Sequence, residues 1–194
     1  MPPLPTPDLA TASSVRLGLI ADTHVFPNGA RVLSPHVLAY FARAKPDLIL
    51  HAGDVCHQGV LDDLAAIAPV VAVRGNNDSG DFGETLPLVY KTTIASKRLC
   101  LLHGHIIDSS ARKSAARMAP DADVVVYGHS HVPMLERVDD ALLVNPGSPT
   151  DKRFEPHFGI ALLDISPDRI WPELILFNRA SDLDHATVPE KQPM

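Results

Sequence analysis

The order of apolar and polar positions in the first half of the chain predicts strands that alternate with helices. Apolar runs at 15–21, 47–54 and 70–78 have the length of strands, and each ends in small or polar residues. Between them, 34–44 and 60–68 carry apolar residues at helical spacing. The first of these helices has a serine at its N-cap and a proline at the next position, which is a common helix start. The alternation is typical of βαβ units and a parallel sheet.

The second half has a different pattern, with strands close together. The runs at 86–96 and 98–105 are separated only by Lys97, which predicts a hairpin. The remaining pattern predicts a helix at 109–119 and strands at 123–131, 134–140, 141–148, 158–165 and 170–178. Since no linker separates the two halves, we predict one α/β domain with a mixed sheet or two packed sheets.

The two ends of the chain differ in composition from this domain, which we place at residues 15–178. Residues 1–14 hold four prolines in their first seven positions and few large apolar residues. Such a composition predicts a disordered extension that is dispensable for stability. Residues 179–194 form a polar tail that we expect to fray at the C-terminus.

Composition narrows the class of protein. The formal net charge is −6, and Lys and Arg occur singly or in pairs, so we expect no stable nucleic-acid binding. Cys56 and Cys100 lie in or beside apolar runs and are predicted to be buried thiols, not a disulfide framework. No apolar run reaches the roughly 20 residues of a membrane-spanning helix, and the N-terminus lacks the features of a secretion signal. We therefore expect a cytoplasmic protein.

Five predicted strands end in the same way, with glycine or a small residue beside histidine, aspartate or asparagine. Loops beyond the carboxyl ends of parallel strands form the ligand crevice of open α/β sheets, so these residues can converge. Residues two apart point the same way in extended backbone, so Asp22 with His24, and His129 with His131, can address one centre or two adjacent ones. The candidate metal ligands are Asp22, His24, Asp54, Asn76, His103, His129 and His131.

The chemistry of this set indicates transition metals. It contains imidazole, carboxylate and amide groups and no thiolate, which suits Mn, Fe, Zn or Ni better than a calcium site. Seven ligands exceed one tetrahedral site, so two divalent ions that share a carboxylate are the simplest arrangement. Manganese is the first expectation, with Fe, Ni, Zn and Mg as alternatives.

The segments DTH, GD, GNND, HGH and GHSH occur in this order and are followed by NPGS at 145–148. Together they resemble the calcineurin-like metallophosphoesterase superfamily, over about residues 15–178. The set is most similar to the small single-domain prokaryotic phosphodiesterases, a branch that includes the small scaffold subunit of retromer. The resemblance implies a four-layer α/β/β/α sandwich of two mixed sheets flanked by helices, a two-metal site at one edge, and a homodimer.

The resemblance also implies a role for each ligand. Asp22, His24 and His131 would hold the first metal ion. The second would be held by Asn76, His103 and His129, and Asp54 would bridge the two ions. Asp54, Asn76 and His103 would thus support catalysis as ligands and not as bases.

Three other features of the chain bear on substrate chemistry. His105 is expected to bond a ligand or contact substrate, and a purely structural role is equally open. Asn77 stands where many superfamily members have a histidine near the leaving group, although the small phosphodiesterases often have cysteine there. The loop 25–34 departs from the shorter polar loop of the family, which leaves substrate preference open.

Charge favours phosphate as the substrate. Two divalent ions outweigh the charges of Asp22, Asp54 and a bridging hydroxide, so an acidic protein would hold a locally positive site. We expect in-line attack by a metal-bridging hydroxide on a small phosphodiester. The alternative from another class is a scaffold or protein-interaction module of the same fold that has lost catalysis. A nuclease or a protein phosphatase would need a longer substrate groove or extra domains, and both are less favoured for a compact chain without a basic stripe.

Overall fold

A computed structural model of the protein describes residues 8–106 and 118–192. The strands are β1 (Val15–Ile20), β2 (Leu48–His51), β3 (Val70–Ala72), β4 (Val89–Ile94), β5 (Lys97–Leu102), β6 (Val124–Tyr127), β7 (Met134–Val138), β8 (Ala141–Asn145), β9 (Phe158–Ile165) and β10 (Ile170–Phe177). The α-helices are α1 (Pro35–Ala44), α2 (Gln58–Ala65) and α3 (Gly80–Glu84). Short 3₁₀ helices span Gly104–Ile106 and Ala180–Asp184.

The strands form two five-stranded mixed sheets. The first has the order β10-β9-β1-β2-β3, and the second has the order β4-β5-β6-β8-β7. Strands β1, β2 and β3 are parallel to one another, as are β5, β6 and β8. The remaining strands pair antiparallel at the sides of these parallel cores, including the predicted β4–β5 hairpin. The prediction of two mixed sheets is confirmed.

The main core lies between the two sheets. Along β1, Leu17 and Leu19 face this core, while Ile20 faces the opposite side of the sheet. Leu101 and Val126 supply the facing surface from the second sheet. Because neighbouring side chains of a strand point to opposite faces, β1 is buried on both sides and reads as a continuous apolar run.

Helices α1 and α2 cover the outer face of the first sheet. Helix α1 begins as predicted, with the Ser34 hydroxyl accepting a hydrogen bond from the His36 backbone N–H at 3.3 Å. Phe41 of α1 packs against β1 at Gly18, where a Cβ would lie 3.0 Å from the Phe41 ring. Glycine at this position therefore lets the helix approach the sheet closely.

The outer face of the second sheet carries a smaller apolar cluster that includes Leu102, Val125 and Leu143, with Ala119 packed on it. The predicted helix at 109–119 lies outside the described residues except for its last two positions. Both cysteines are buried and free, as predicted. Within 8–106 and 118–192, no helix combines the length and apolar character needed to span a membrane.

The segment after residue 178 does not fray as expected. Leu183 is fully buried against the helical side of the first sheet. Later in this segment, the Pro189 carbonyl accepts a 2.9 Å hydrogen bond from the side chain of Arg16. Arg16 is buried, and it also forms two 2.7 Å hydrogen bonds to the Asp164 carboxylate. Polar composition misled the prediction because a few apolar positions and backbone hydrogen bonds are enough to fasten such a segment.

Residues 8–14, the described part of the expected extension, also contact the domain. The Leu9 carbonyl accepts a hydrogen bond from the Ala95 backbone N–H, and the Ala10 carbonyl accepts one from Ser96, both at 2.8 Å. The Leu9 side chain is partly buried against the core between the sheets. These contacts run against the expectation that the whole of 1–14 is dispensable.

We therefore expect Leu9→Ala to lower the free energy of unfolding by about 1 kcal/mol, since a partly buried leucine loses part of its apolar area. Urea unfolding measures the change. Thr11→Ala is the matched control, because Thr11 is exposed in the same segment. Equal stability of the two variants would show that Leu9 adds nothing to the core.

Candidate metal centre

The predicted ligands meet at one edge of the sandwich. They follow β1, β2, β3, β5 and β6, at the ends where the parallel strands of both sheets finish. Histidines and carboxylates from the two sheets come into direct contact there: His131, after β6, has its Nε2 atom 3.6 Å from Asp22 Oδ1, after β1. This placement agrees with the prediction that these loops converge.

A first cluster consists of Asp22, His24 and His131, whose potential ligand atoms lie within 4.8 Å of one another. All three residues are buried. The Nε2 atoms of the two histidines are 3.1 Å apart, and their rings stack at 5.0 Å between centroids. Two imidazole nitrogens that face each other beside a carboxylate can together coordinate a metal ion.

A second cluster consists of Asp54, His103 and His129, with ligand atoms again within 4.8 Å of one another. Asn76 lies beside it, with its Oδ1 atom 3.2 Å from His103 Nε2. Asp54 Oδ2 is 3.5 Å from His103 Nε2 and 3.6 Å from His24 Nε2. The Asp54 carboxylate thus faces a histidine of each cluster.

Two of the histidines are oriented by backbone carbonyl groups. His103 Nδ1 lies 2.7 Å from the Ala52 carbonyl oxygen, and His131 Nδ1 bonds to the Asp151 carbonyl. A carbonyl oxygen can only accept, so Nδ1 carries the proton in each ring. In the neutral ring, Nε2 then presents a lone pair, which is the form that binds a metal.

The backbone at these residues is not extended, in contrast to the expectation from residue spacing. Asp22, His24, Asp54, His129 and His131 have φ values of 54°, 46°, 55°, 82° and 61°. Non-glycine residues in this left-handed region are uncommon and strained, and such strain persists where the surroundings enforce it. His129 and His131 face different clusters, which is one of the two arrangements that their spacing left open.

Asp78 ties the loops of the site together, a role that was not predicted from the sequence. Its carboxylate accepts hydrogen bonds from the backbone N–H groups of Asp54 at 3.0 Å, Cys56 at 2.7 Å and Gly75 at 2.7 Å. A Cβ at Gly75 would lie 2.1 Å from Asp54 Oδ1, so only glycine fits there. Asp78 is the last residue of the GNND segment, and this position in a motif could have indicated its role from the sequence.

The NPGS segment at 145–148 also has a positioning role that was not predicted. Ser148 Oγ donates to the backbone carbonyl of Asp22 at 2.7 Å. Thr150, two residues on, donates to the Thr23 carbonyl at 2.6 Å. Asn145 Nδ2 donates to Ser130 Oγ at 3.0 Å, between the two histidines of the GHSH segment. These contacts tie the loops after β1 and β6 to the segment at the end of β8.

The site carries strongly perturbed carboxylates. Burial raises the pKa of Asp22 to about 7, although two hydrogen bonds from the His129 backbone N–H favour its charged form. Burial also opposes ionisation of Asp54, but its bonds to His103 and Asn77 outweigh that effect and hold its pKa below the ordinary value. Burial lowers the pKa of His131 to about 4, which leaves its ring neutral at pH 7.

The residues of the site fit divalent cations. Asp22 and Asp54 are fully buried, and no Lys or Arg in the described part of the chain forms an ion pair with either. His129 Nδ1 is a buried nitrogen without a hydrogen-bond partner. Buried charges and ring nitrogens are normally paired or bound to metal. A cation bound between these groups would supply the partner that they lack.

The two residues with open roles lie on the second cluster. Asn77 donates to both Asp54 oxygens, from its backbone N–H at 2.8 Å and from Nδ2 at 2.7 Å. The His105 ring is half-buried, 5.1 Å from the His103 ring, and its Nδ1 atom has no hydrogen-bond partner. Asn77 therefore supports a candidate ligand directly, while His105 has a free nitrogen beside the site.

Two mixed sheets with candidate metal clusters at the carboxyl ends of their parallel strands define an α/β protein of the metallophosphoesterase fold. Residues 15–168 match the calcineurin-like phosphoesterase superfamily domain, and the chain belongs to this superfamily. It is 33% identical over 161 residues to a probable metallophosphoesterase of Methanothermobacter thermautotrophicus, covering 82% of this chain and 91% of that relative.

Two further comparisons concern a phosphodiesterase and a solved structure. The chain is 29% identical over 154 residues to phosphodiesterase YfcE of Escherichia coli, covering 69% of this chain and 79% of the relative. The crystal structure of Chaetomium thermophilum Vps29 superposes with a TM-score of 0.71 at 22% identity, over 84% of this chain and 96% of that one. The last similarity shows the shared fold.

Proposed function

We propose that the protein is a metal-dependent phosphodiesterase with a two-metal site. One observation carries the proposal: the two clusters lie side by side, and Asp54 Oδ2 is within 3.6 Å of a histidine nitrogen in each. Asp22, His24 and His131 would hold one ion, and Asn76, His103 and His129 the other. Asp54 would bridge the ions, because it lies nearer to the opposite cluster than Asp22 does: the Asp22 Oδ1 atom is 3.6 Å from His131 Nε2 but 4.0 Å from His103 Nε2.

The chain's own groups would fix the geometry of this centre. Two divalent ions held here would supply an activated water and would stabilise negative charge on the phosphoryl group. Ala52 and Asp151 hold two of the imidazole rings through their carbonyl groups, and Asp78 holds the loop that carries Asp54. Ligands held this way by buried partners are preorganised for an in-line displacement.

The choice of a phosphodiester rests on charge and on the relatives. Two divalent ions among two carboxylates leave the site positive, which attracts an anionic ester. A relative from Escherichia coli and one from Methanocaldococcus jannaschii are named phosphodiesterases, at 29% and 28% identity. We therefore assign a small phosphodiester as the substrate class, with manganese as the first metal to test.

The test is metal reconstitution. Protein stripped with a chelator is titrated with Mn, Ni, Zn or Mg, bound metal is counted, and turnover of bis-p-nitrophenyl phosphate is compared with that of p-nitrophenyl phosphate. We expect two ions per chain and metal-dependent hydrolysis that favours the diester. A protein that binds no metal at the site, or that hydrolyses neither ester with any metal, would overturn the proposal.

The alternative is a scaffold of the same fold without catalysis. Vps29 structures share the fold, and one from Entamoeba histolytica was solved in complex with Zn²⁺. Retention of all seven candidate ligands, gathered into two clusters here, favours the enzyme, since a scaffold has no need of them. Metal binding without any turnover in the reconstitution would favour the scaffold.

A further prediction concerns the leaving group. A positioned general acid typically contributes roughly 10²–10⁴-fold, and an amide such as Asn77 cannot deliver a proton at neutral pH. The rate should therefore fall steeply as the pKa of the leaving alcohol rises. Asn77→His should recover about tenfold for poor leaving groups and little for nitrophenol. A series of aryl and alkyl esters measures both slopes.

Two points control this experiment. Asn77→Ser removes the amide without adding an acid. A comparison of Asn77→His with Asn77→Ser therefore separates the effect of the new proton donor from the loss of the hydrogen bond to Asp54 Oδ2. A flat leaving-group dependence in the unmodified protein, with chemistry shown to limit the rate, would mean that another acid acts. His105 would then be the first residue to examine, because its ring lies beside His103.

A further inference from the structure

Two loops flank the metal centre, the β1 loop (25–34) and the β8 loop (149–157). They are joined by an ion pair between Arg31 Nη2 and Asp151 Oδ2 at 3.3 Å. Asp151 also fixes the centre, because its backbone carbonyl accepts the hydrogen bond from His131. Asp151 therefore links both loops to the candidate metal centre.

The β1 loop places an aromatic ring beside the first cluster. Phe26 begins a tight turn, closed by a 3.0 Å hydrogen bond from the Gly29 backbone N–H to the Phe26 carbonyl, with Pro27 at the second position. The Phe26 ring lies 6.4 Å from the His24 ring, and 45% of the residue is exposed. A large exposed ring that is held by a turn next to buried ligands offers a flat apolar surface to a bound molecule.

The β8 loop carries a cation, Arg153, two residues after Asp151. Arg153 is exposed, and its backbone N–H donates to Asp151 Oδ1 at 3.1 Å. Within the described residues its guanidinium forms no ion pair, in contrast to Arg31. Asp151 places Arg153 beside the first cluster, because the Asp151 backbone carbonyl accepts the hydrogen bond from His131.

We propose that Phe26 and Arg153 form the recognition site for the substrate, which rests on the function proposed above. The planar ring of the ester group that stays on the phosphate stacks on Phe26. The guanidinium of Arg153 binds a non-bridging phosphoryl oxygen. This assigns the substrate class as phosphodiesters in which one ester group carries a planar ring, the class to which nucleoside phosphodiesters belong.

The magnitude expected for each contact follows from its chemistry. Stacking of a nucleobase on an aromatic side chain changes binding by roughly tenfold or more. A charge-assisted hydrogen bond to phosphate is stronger than a neutral one and does not depend on the ester group. Phe26 should thus set the preference between esters, and Arg153 should act on all of them.

The experiment compares two substrates with the same leaving group, so that leaving-group acidity cannot contribute. These are the p-nitrophenyl ester of thymidine 5′-monophosphate and methyl p-nitrophenyl phosphate, assayed with the metal-loaded protein. We expect the nucleoside ester to have a kcat/KM about tenfold higher, mainly through KM. Phe26→Ala should bring this ratio close to one, and Phe26→Tyr should restore it. Arg153→Gln should lower both values by a similar factor.

A binding measurement accompanies the kinetics. Calorimetric titration with thymidine 5′-monophosphate and methyl phosphate should show the same preference in Kd, and Phe26→Ala should remove it. Phe154→Ala is the matched control, because Phe154 lies next to Arg153 and is fully exposed, without a described contact to the centre. It should leave the ratio unchanged.

The outcomes separate this inference from the function on which it rests. Hydrolysis of the methyl ester with equal kcat/KM for the nucleoside ester would overturn the recognition site and leave the phosphodiesterase intact. Equal losses on both esters in Phe26→Ala would also overturn it, because the ring would then only position His24. Failure to hydrolyse either ester with any metal would overturn both proposals.

Discussion

Asp54→Asn should abolish most of the catalysis and leave at most one metal ion tightly bound. Asn keeps the shape of the side chain, so the fully buried position is not emptied. It removes the negative charge that faces His24 and His103, and with it the group proposed to join the two ions. Loss of a partner that merely orients a ligand costs about 10–100-fold in metal affinity or activity. Loss of a ligand shared by two ions should therefore lower activity by more than about a hundredfold.

Metal stoichiometry and turnover together test this expectation. Metal content is measured after equilibrium dialysis, and hydrolysis of bis-p-nitrophenyl phosphate is followed in the same samples. Asp63→Asn provides the control, since Asp63 is an exposed carboxylate on α2 and carries the same change of charge. Two bound ions and normal turnover in Asp54→Asn would show that Asp54 does not bridge the centre.

Asp78→Asn should lower the free energy of unfolding of the metal-free protein by about 2–3 kcal/mol. The Asp78 carboxylate is 2% exposed and accepts three backbone hydrogen bonds through its two oxygens. Asn offers one oxygen, so its amino group must face at least one buried N–H donor. An unsatisfied buried donor costs about 1–3 kcal/mol, and bonds to a charged acceptor are stronger than neutral ones.

Urea unfolding in the presence of chelator measures this effect without a contribution from bound metal. Asp81→Asn is the control, because Asp81 is an exposed carboxylate three residues further on, in α3. We also expect weaker metal binding in Asp78→Asn, since the loop that carries Asp54 loses an anchor. Unchanged stability would mean that the loops after β2 and β3 hold their conformation without Asp78.

Much of the fold was accessible from local pattern. Strand β1 reads as a buried strand because both of its faces are covered, and helix α1 reads as a helix because Ser34 and Pro35 define its start. Helix α3 (Gly80–Glu84) was not predicted, since five residues with two glycines carry no helical pattern. The packing of Leu9 and Leu183 was also missed, because each is one of a few apolar residues in a polar segment and depends on distant partners.

The candidate site was likewise predictable only in part. Its residue types were readable because each follows an apolar run, and the strand ends of a parallel sheet meet at one edge. The pairing of His24 with His131, and of Asp54 with both clusters, depends on contacts between the two sheets. Asp78 escaped notice because its role is to accept backbone hydrogen bonds from two other loops, which no local motif records.

The sequence by itself determined the order of most elements, the candidate ligand residues and the family, because these depend on periodicity and on motifs within a few residues. The tertiary structure decided how the candidate ligands are grouped and oriented. The left-handed backbone at Asp22, Asp54 and His129 is enforced by hydrogen bonds and packing from other loops. A strained local conformation of this kind cannot be predicted from the residues that adopt it, because the energy that stabilises it comes from distant parts of the chain.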